Sequence, residues 1–142
     1  MLKGLTVKAL TVAAALVAAF PALAQDKVVY HIDDAAVQGT KALRNIRNHL
    51  DTVPDTRVRV VTHADGVDLL LEGQKDTKNN IEYASLISDL KTRGVVFEVC
   101  EITLKRRNLD KDKFIMEAEF TPSGVARITQ LQAREQYAYI KP

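Results

Sequence analysis

Short apolar runs and longer periodic segments take turns along this chain. Lys27-Val28-Val29-Tyr30-His31-Ile32 is rich in β-branched residues and predicts a buried strand, ended by Asp33-Asp34. Gly39, Leu43, Ile46 and Leu50 then recur at helical spacing, with Lys41, Arg44 and Arg47 off that face, until Pro54-Asp55 interrupts. Arg57 to Thr62 predicts a second strand running into a turn at His63-Ala64-Asp65-Gly66. The apolar stretch 67–71 fits either a helical turn or extended chain, and Gly73 to Asn80 reads as a polar loop. Tyr83, Leu86, Ile87 and Leu90 define a second amphipathic helix, closed by Arg93-Gly94. Val95 to Cys100 is the strongest strand pattern, followed by helical turns over Ile102 to Arg107 and a charged connection over 108–116. A weak strand at Glu117 to Phe120 precedes a helix that Ser123 can cap, with Val125, Ile128 and Leu131 inward. Tyr137 to Ile140 closes the series.

Strands that alternate with helices need crossover connections, so the pattern predicts an α/β fold: three layers, α/β/α, around a mainly parallel five-stranded sheet. Ligands of such sheets meet the loops beyond the carboxyl ends of the strands. Asp33-Asp34, His63-Ala64-Asp65 and Cys100 all fall at that edge.

The amino terminus follows another logic. Lys3 and Lys8 precede an Ala/Val/Leu-rich run from Ala9 to Phe20, and Ala22-Leu23-Ala24 offers a small-x-small cleavage pattern. The run is shorter than the about 20 residues of a membrane span. Residues 1–24 are therefore expected to be a cleaved signal peptide, leaving one domain over 25–142 with no membrane attachment and a periplasmic address. The whole chain carries 20 Lys+Arg against 18 Asp+Glu. Losing Lys3 and Lys8 makes the two equal, which argues against a nucleic-acid binder.

Cys100 is the only cysteine. Exported proteins usually pair their cysteines, so a solitary thiol is either sealed away or kept for chemistry. A following helix start favours the thiolate through its free N–H groups, as do Lys105, Arg106 and Arg107, whereas Glu98 and Glu101 oppose it. His31, His49 and His63 lack metal-ligand spacing, and no metal or organic cofactor is expected. There is no CxxC, nucleotide-binding glycine motif, GxSxG elbow or complete calcium loop.

Several segments together resemble the DsrE/DsrF-like family. They are Val29 to Asp34, Ala42 to Leu50, Val60 to Leu70, Leu90 to Cys100, Pro122 to Val125 and Leu131 to Pro142. The likeness is nearest to an exported branch. It implies a parallel α/β/α domain, association into trimers or hexamers, and a cysteine at position 100 that carries sulfur as a persulfide. Arg107-Asn108 stands where many members have Arg-Gly, and Asn tolerates the left-handed conformation better than most residues. Asn45, His63 and Arg106 are the candidate supporting residues around Cys100. The expected function is sulfur binding or transfer with a donor or acceptor protein as partner. The alternatives are a non-catalytic assembly or ligand-binding module with a buried structural cysteine, and a metal or small-anion site built from His63 and Cys100.

Overall fold

Five segments with β-branched, apolar patterns pair into one sheet. They are β1 (Lys27–Asp34), β2 (Arg57–Asp65), β5 (Val96–Cys100), β6 (Ala118–Thr121) and β7 (Ala138–Ile140). The computed structural model describes residues 24–142, so the expected signal segment lies almost entirely outside the described residues. Strand order is β6-β5-β2-β1-β7, and every pairing is parallel. The connections are α1 (Ala35–Thr52), α2 (Tyr83–Thr92), α3 (Glu101–Arg107) and α4 (Gly124–Glu135). A two-residue hairpin, β3 (Lys75–Asp76) with β4 (Ile81–Glu82), stands apart from the sheet in what the sequence presents as a loop.

The helices divide between the faces for a topological reason. The chain steps from β1 to β2, β5 and β6 in one direction, then returns across the whole sheet to β7. Right-handed crossovers put helices of opposite travel on opposite faces. The first face packs Val28, Tyr30, Ile32, Val58, Val60, Phe97 and Val99 against the apolar sides of α1, α2 and α3. The second is covered by α4 through a smaller cluster of Val29, Val61, Ile128, Leu131 and Tyr137.

Beside that cluster the second face is polar. Glu98 is buried and accepts from Arg59 and from Arg127 Nε at 3.0 Å, while Arg127 Nη1 also reaches Glu135 at 3.0 Å. A buried carboxylate held by two guanidiniums satisfies the charge that desolvation would otherwise penalise. Strand periodicity and the register Val61↔Glu98 place His63 and Cys100 on this same face, at its carboxyl-end rim.

Local chemistry sets the boundaries. Asp34 caps α1 by accepting from Val37 N–H at 3.0 Å, and Ser123 caps α4 by accepting from Ala126 N–H at 3.3 Å. Asn108 ends α3 in the left-handed conformation at φ 52°. The expected turn at His63-Ala64-Asp65 is instead the end of β2, and a single 3-10 turn over Gly66–Leu70 resolves the ambiguous apolar stretch. Val125 is a correction: it is 62% exposed in the first turn of α4 rather than inward. Ile128 and Leu131 carry that helix's packing.

Gly66 is the position where only hydrogen fits. A β-carbon there would lie 2.1 Å from the Ile32 carbonyl oxygen and 2.9 Å from Asp33 Cα, both backbone atoms that cannot swing away. Gly66→Ala is expected to cost at least about 1–3 kcal/mol of stability through overpacking, read as a lowered urea midpoint.

Candidate functional site

The connections after β5 and β6 leave toward opposite faces, which opens a crevice between two neighbouring strand ends. Cys100 pairs with Thr121 at that gap. This is the switch point at which doubly wound sheets bind ligands. The crevice widens into an open cleft of about 460 Å³ lined by His63, Ala64, Cys100, Thr103, Arg106 and Val125, among others. A larger cleft of about 760 Å³ lies around Lys27, Val28, Arg57 and Ala138, far from the thiol.

Cys100 is only 4% exposed, at the floor of the cleft. Burial pushes its thiol pKa up. The Gly124 and Thr103 N–H groups, the Thr103 hydroxyl and the Ile102 N–H outweigh that, so the net shift is downward. The Thr103 hydroxyl does double duty, since its oxygen also accepts from Ala64 N–H at 3.0 Å. Gly124 brings the start of α4 close enough to donate: a β-carbon there would sit 3.2 Å from both Cys100 Cβ and His63 Cβ.

The acids that oppose the thiolate on sequence grounds are both engaged by cations. Glu98 is held by Arg59 and Arg127, and Glu101 by Lys111. Of the cations after Cys100, Arg107 is committed to Asp68 at 2.8 Å and donates to the Ala64 carbonyl at 3.3 Å. Lys105 lines a separate cleft. Arg106 lines the cysteine cleft and pairs with no acid among the described residues. Ile102, 48% exposed, and Val125 form apolar lips beside it.

His63 stands on the cleft wall, and its ring reaches sideways to a partner that linear spacing hides. Its Nε2 lies 2.6 Å from His31 Nε2, and His31 Nδ1 lies 2.7 Å from the Tyr139 hydroxyl. Burial lowers the pKa of His31, helped by His63 and Lys141 and opposed by Asp33. His63 is lowered by burial too, with Asp33 opposing and Lys141 assisting. Lys141 and Asp33 form an ion pair at 2.7 Å next to the rings.

Asn45 does not join this group. It sits in the middle of α1, which covers the first face, and lines no part of the cleft. His49 bonds to the Tyr30 hydroxyl at 3.1 Å on α1's side. Among the described residues, no three of His, Cys, Asp and Glu converge as metal ligands, and no helix is long and apolar enough to cross a membrane. The signal for His31, His63 and Tyr139 was strand order. All three stand on the second face of the adjacent strands β7, β1 and β2, a neighbourhood that appears only once the order is known.

The profile of the DsrE/DsrF-like family matches residues 8–142. The chain belongs to the DsrE/DsrF-like family. Among solved structures it is similar to the protein of unknown function MTH1491 from Methanobacterium thermoautotrophicum. That match has 30% identity and a TM-score of 0.74, and covers 83% of this chain and 100% of the other. The ychN protein from E. coli shares the fold at 15% identity and a TM-score of 0.67, covering 84% of this chain and 100% of its own. No curated protein matches. Within this DsrE/DsrF-like domain, the switch-point crevice brings together a thiol of lowered pKa, the Arg106 guanidinium and His63, whose ring is bonded to His31 outside the cleft.

Two outcomes follow from these electrostatics. Thr103→Val removes a hydroxyl donor from the sulfur, so the pH of half-maximal iodoacetamide alkylation of Cys100 rises and the rate at neutral pH falls several-fold. Both imidazoles titrate below their ordinary value of 6.5, so the unfolded chain takes up protons first as pH falls. Stability therefore drops from about pH 7 to about pH 5, and His31→Gln makes that drop in urea midpoint shallower.

Proposed function

We propose that this protein is an exported carrier of sulfane sulfur, holding it as a persulfide on Cys100. The observation that supports this most is the balance at the sulfur. Hydrogen-bond donors lower the pKa of a thiol that burial alone would raise, and the thiol opens onto a cleft rimmed by Arg106. The thiolate is the form that attacks sulfur, so a lowered pKa raises the reactive fraction at neutral pH. Arg106 suits an anionic donor. The chain holds no second cysteine, so nothing inside it can expel the carried sulfur as a disulfide.

The step balances without an oxidant. The thiolate of Cys100 attacks the outer sulfur of a donor R–S–SH; the new S–S bond forms as the old one breaks, and RS⁻ leaves with the electron pair. The cysteine then bears the persulfide until an acceptor thiolate repeats the exchange. The basic, apolar start of the chain and the Ala22-Leu23-Ala24 pattern support export to the periplasm. Association of several copies and docking of a donor or acceptor protein complete the proposal.

One observation favours a rival reading. At 4% exposure, Cys100 resembles the buried, inert cysteines common in protein cores, and the domain would then serve assembly or ligand binding. Intact-mass measurement after exposure to polysulfide, thiosulfate or glutathione persulfide separates the two. The carrier gains about 32 Da as a persulfide, and Cys100→Ser does not. No adduct on the folded wild type with any donor overturns the carrier reading in favour of the rival.

A further inference from the structure

Three side chains on neighbouring strands make a continuous hydrogen-bonded line from solvent to the thiol cleft. Tyr139 of β7 is 41% exposed, and its hydroxyl meets His31 Nδ1 at 2.7 Å. His31 Nε2 meets His63 Nε2 at 2.6 Å, and His63 lines the cleft beside Cys100. With Nε2 committed to His31, His63 has only Nδ1 left to work in that cleft.

An imidazole–imidazole bond of this length needs one ring to donate and the other to accept. Two proton arrangements satisfy the whole line. In the first, the Tyr139 hydroxyl donates to His31 Nδ1, His31 Nε2–H donates to His63 Nε2, and the spare proton sits on His63 Nδ1. In the second every bond runs the other way and Nδ1 is bare. Passing between them moves one proton across the line without moving a heavy atom.

We propose that Tyr139, His31 and His63 form a proton relay that protonates the thiolate expelled when sulfur moves onto Cys100. This rests on the persulfide reading. As RS⁻ leaves, it takes the proton from His63 Nδ1. His63 Nε2 takes one from His31 Nε2, His31 Nδ1 takes one from the Tyr139 hydroxyl, and the Tyr139 oxygen is reprotonated by water. The reverse passage removes the proton of the resting Cys100 thiol. His63 is the catalytic member, since it lines the cleft beside Cys100, and His31 and Tyr139 act through it.

Burial, more than the surrounding charges, disfavours the charged form of both rings and so favours the neutral form that the relay needs. Asp33, on His31's own strand, favours the imidazolium, and Lys141, ion-paired with it, opposes it. From α3 the cleft receives Arg106 and Arg107. On β5, Cys100 faces the cleft and Glu98 is neutralised by Arg59 of β2 and by Arg127 of α4, which also holds Glu135. An extra proton on the ring pair blocks the passage, so the transfer rate should fall on the acid side.

The test compares two electrophiles on the full folded domain. Glutathione persulfide expels a basic thiolate that needs a proton, whereas DTNB expels thionitrobenzoate, the stable thiolate of an acidic thiol, which needs none. His31→Gln and Tyr139→Phe are expected to slow sulfur uptake from glutathione persulfide about a hundredfold relative to the DTNB rate, and to remove the part of its acid-side fall that the DTNB reaction does not share. Equal effects on both reagents, or none on either, overturn the relay. A second measurement stands apart from sulfur chemistry: imidazole 15N shifts of His31 and His63 should titrate as one coupled pair, altered by Tyr139→Phe. If wild type takes up no sulfur, the carrier reading falls and these shifts alone decide the proton line; independent titration of the two rings overturns it.

Discussion

The handedness of crossover connections decides where chemistry can occur in this domain. Three steps in one direction put α1, α2 and α3 on one face, and the single return from β6 to β7 puts α4 on the other. The two helices that begin beside Cys100 therefore diverge, and the gap between them cannot be closed by the sheet itself. Had β7 added beyond β6, α4 would share a face with α3, and the strand end carrying the thiol would lie beneath packed helices. The return also brings β7 beside β1, which is why Tyr139 stands next to His31 although 108 residues separate them.

Within that gap the sulfur's character is set by a contest between desolvation and donors. Burial alone gives an inert thiol, and several local donors reverse it. Each donor depends on a different structural decision. Gly124 contributes because it lacks a β-carbon where Cys100 and His63 crowd it, and Thr103 because Ala64 N–H fixes its hydroxyl. Arg107 of α3 holds the end of β2 by donating to the Ala64 carbonyl. The neighbouring acids are spent on ion pairs, so the downward shift at the sulfur comes from the N–H and hydroxyl dipoles of Gly124, Thr103 and Ile102 rather than from charged side chains.

The sheet was legible in the sequence because β1, β2 and β5 are apolar and β-branched enough to announce themselves, while β6 showed only as a weak pattern, and because Ser123, Asp34 and Gly94 mark helix limits. The α/β/α class follows from their alternation. Val125 misled because helical periodicity places residues on a face without saying how far packing extends along it, and the first turn of α4 overhangs the cleft. Asn45 was expected beside Cys100, but the sequence does not say which face of the sheet its helix covers, and α1 lies on the other one. Cys100 and His63 were placed at the rim because strand ends at the carboxyl edge are few, and Arg106 because it follows in the helical turns after Cys100. The histidine line was not, since it needs strand order and register together, and neither is written in local pattern.

Low exposure does not by itself make a thiol unreactive, because exposure and reactivity concern different things. Exposure measures how much of a residue's surface meets solvent, while attack on sulfur needs one open approach along a single bond axis. A recessed thiolate at the floor of a cleft keeps its donors dry, and hydrogen bonds in a less polar setting hold charge more strongly than they do in water. The same recess keeps bulk water from protonating a leaving thiolate freely, so the site must either accept a slow step or supply the proton itself. The proposed line of imidazoles from the Tyr139 hydroxyl to the cleft wall would answer that need with residues already held in place by the sheet. The recess and the line are thus two consequences of one strand order, and a domain that buried its sulfur for packing alone would have no use for the second.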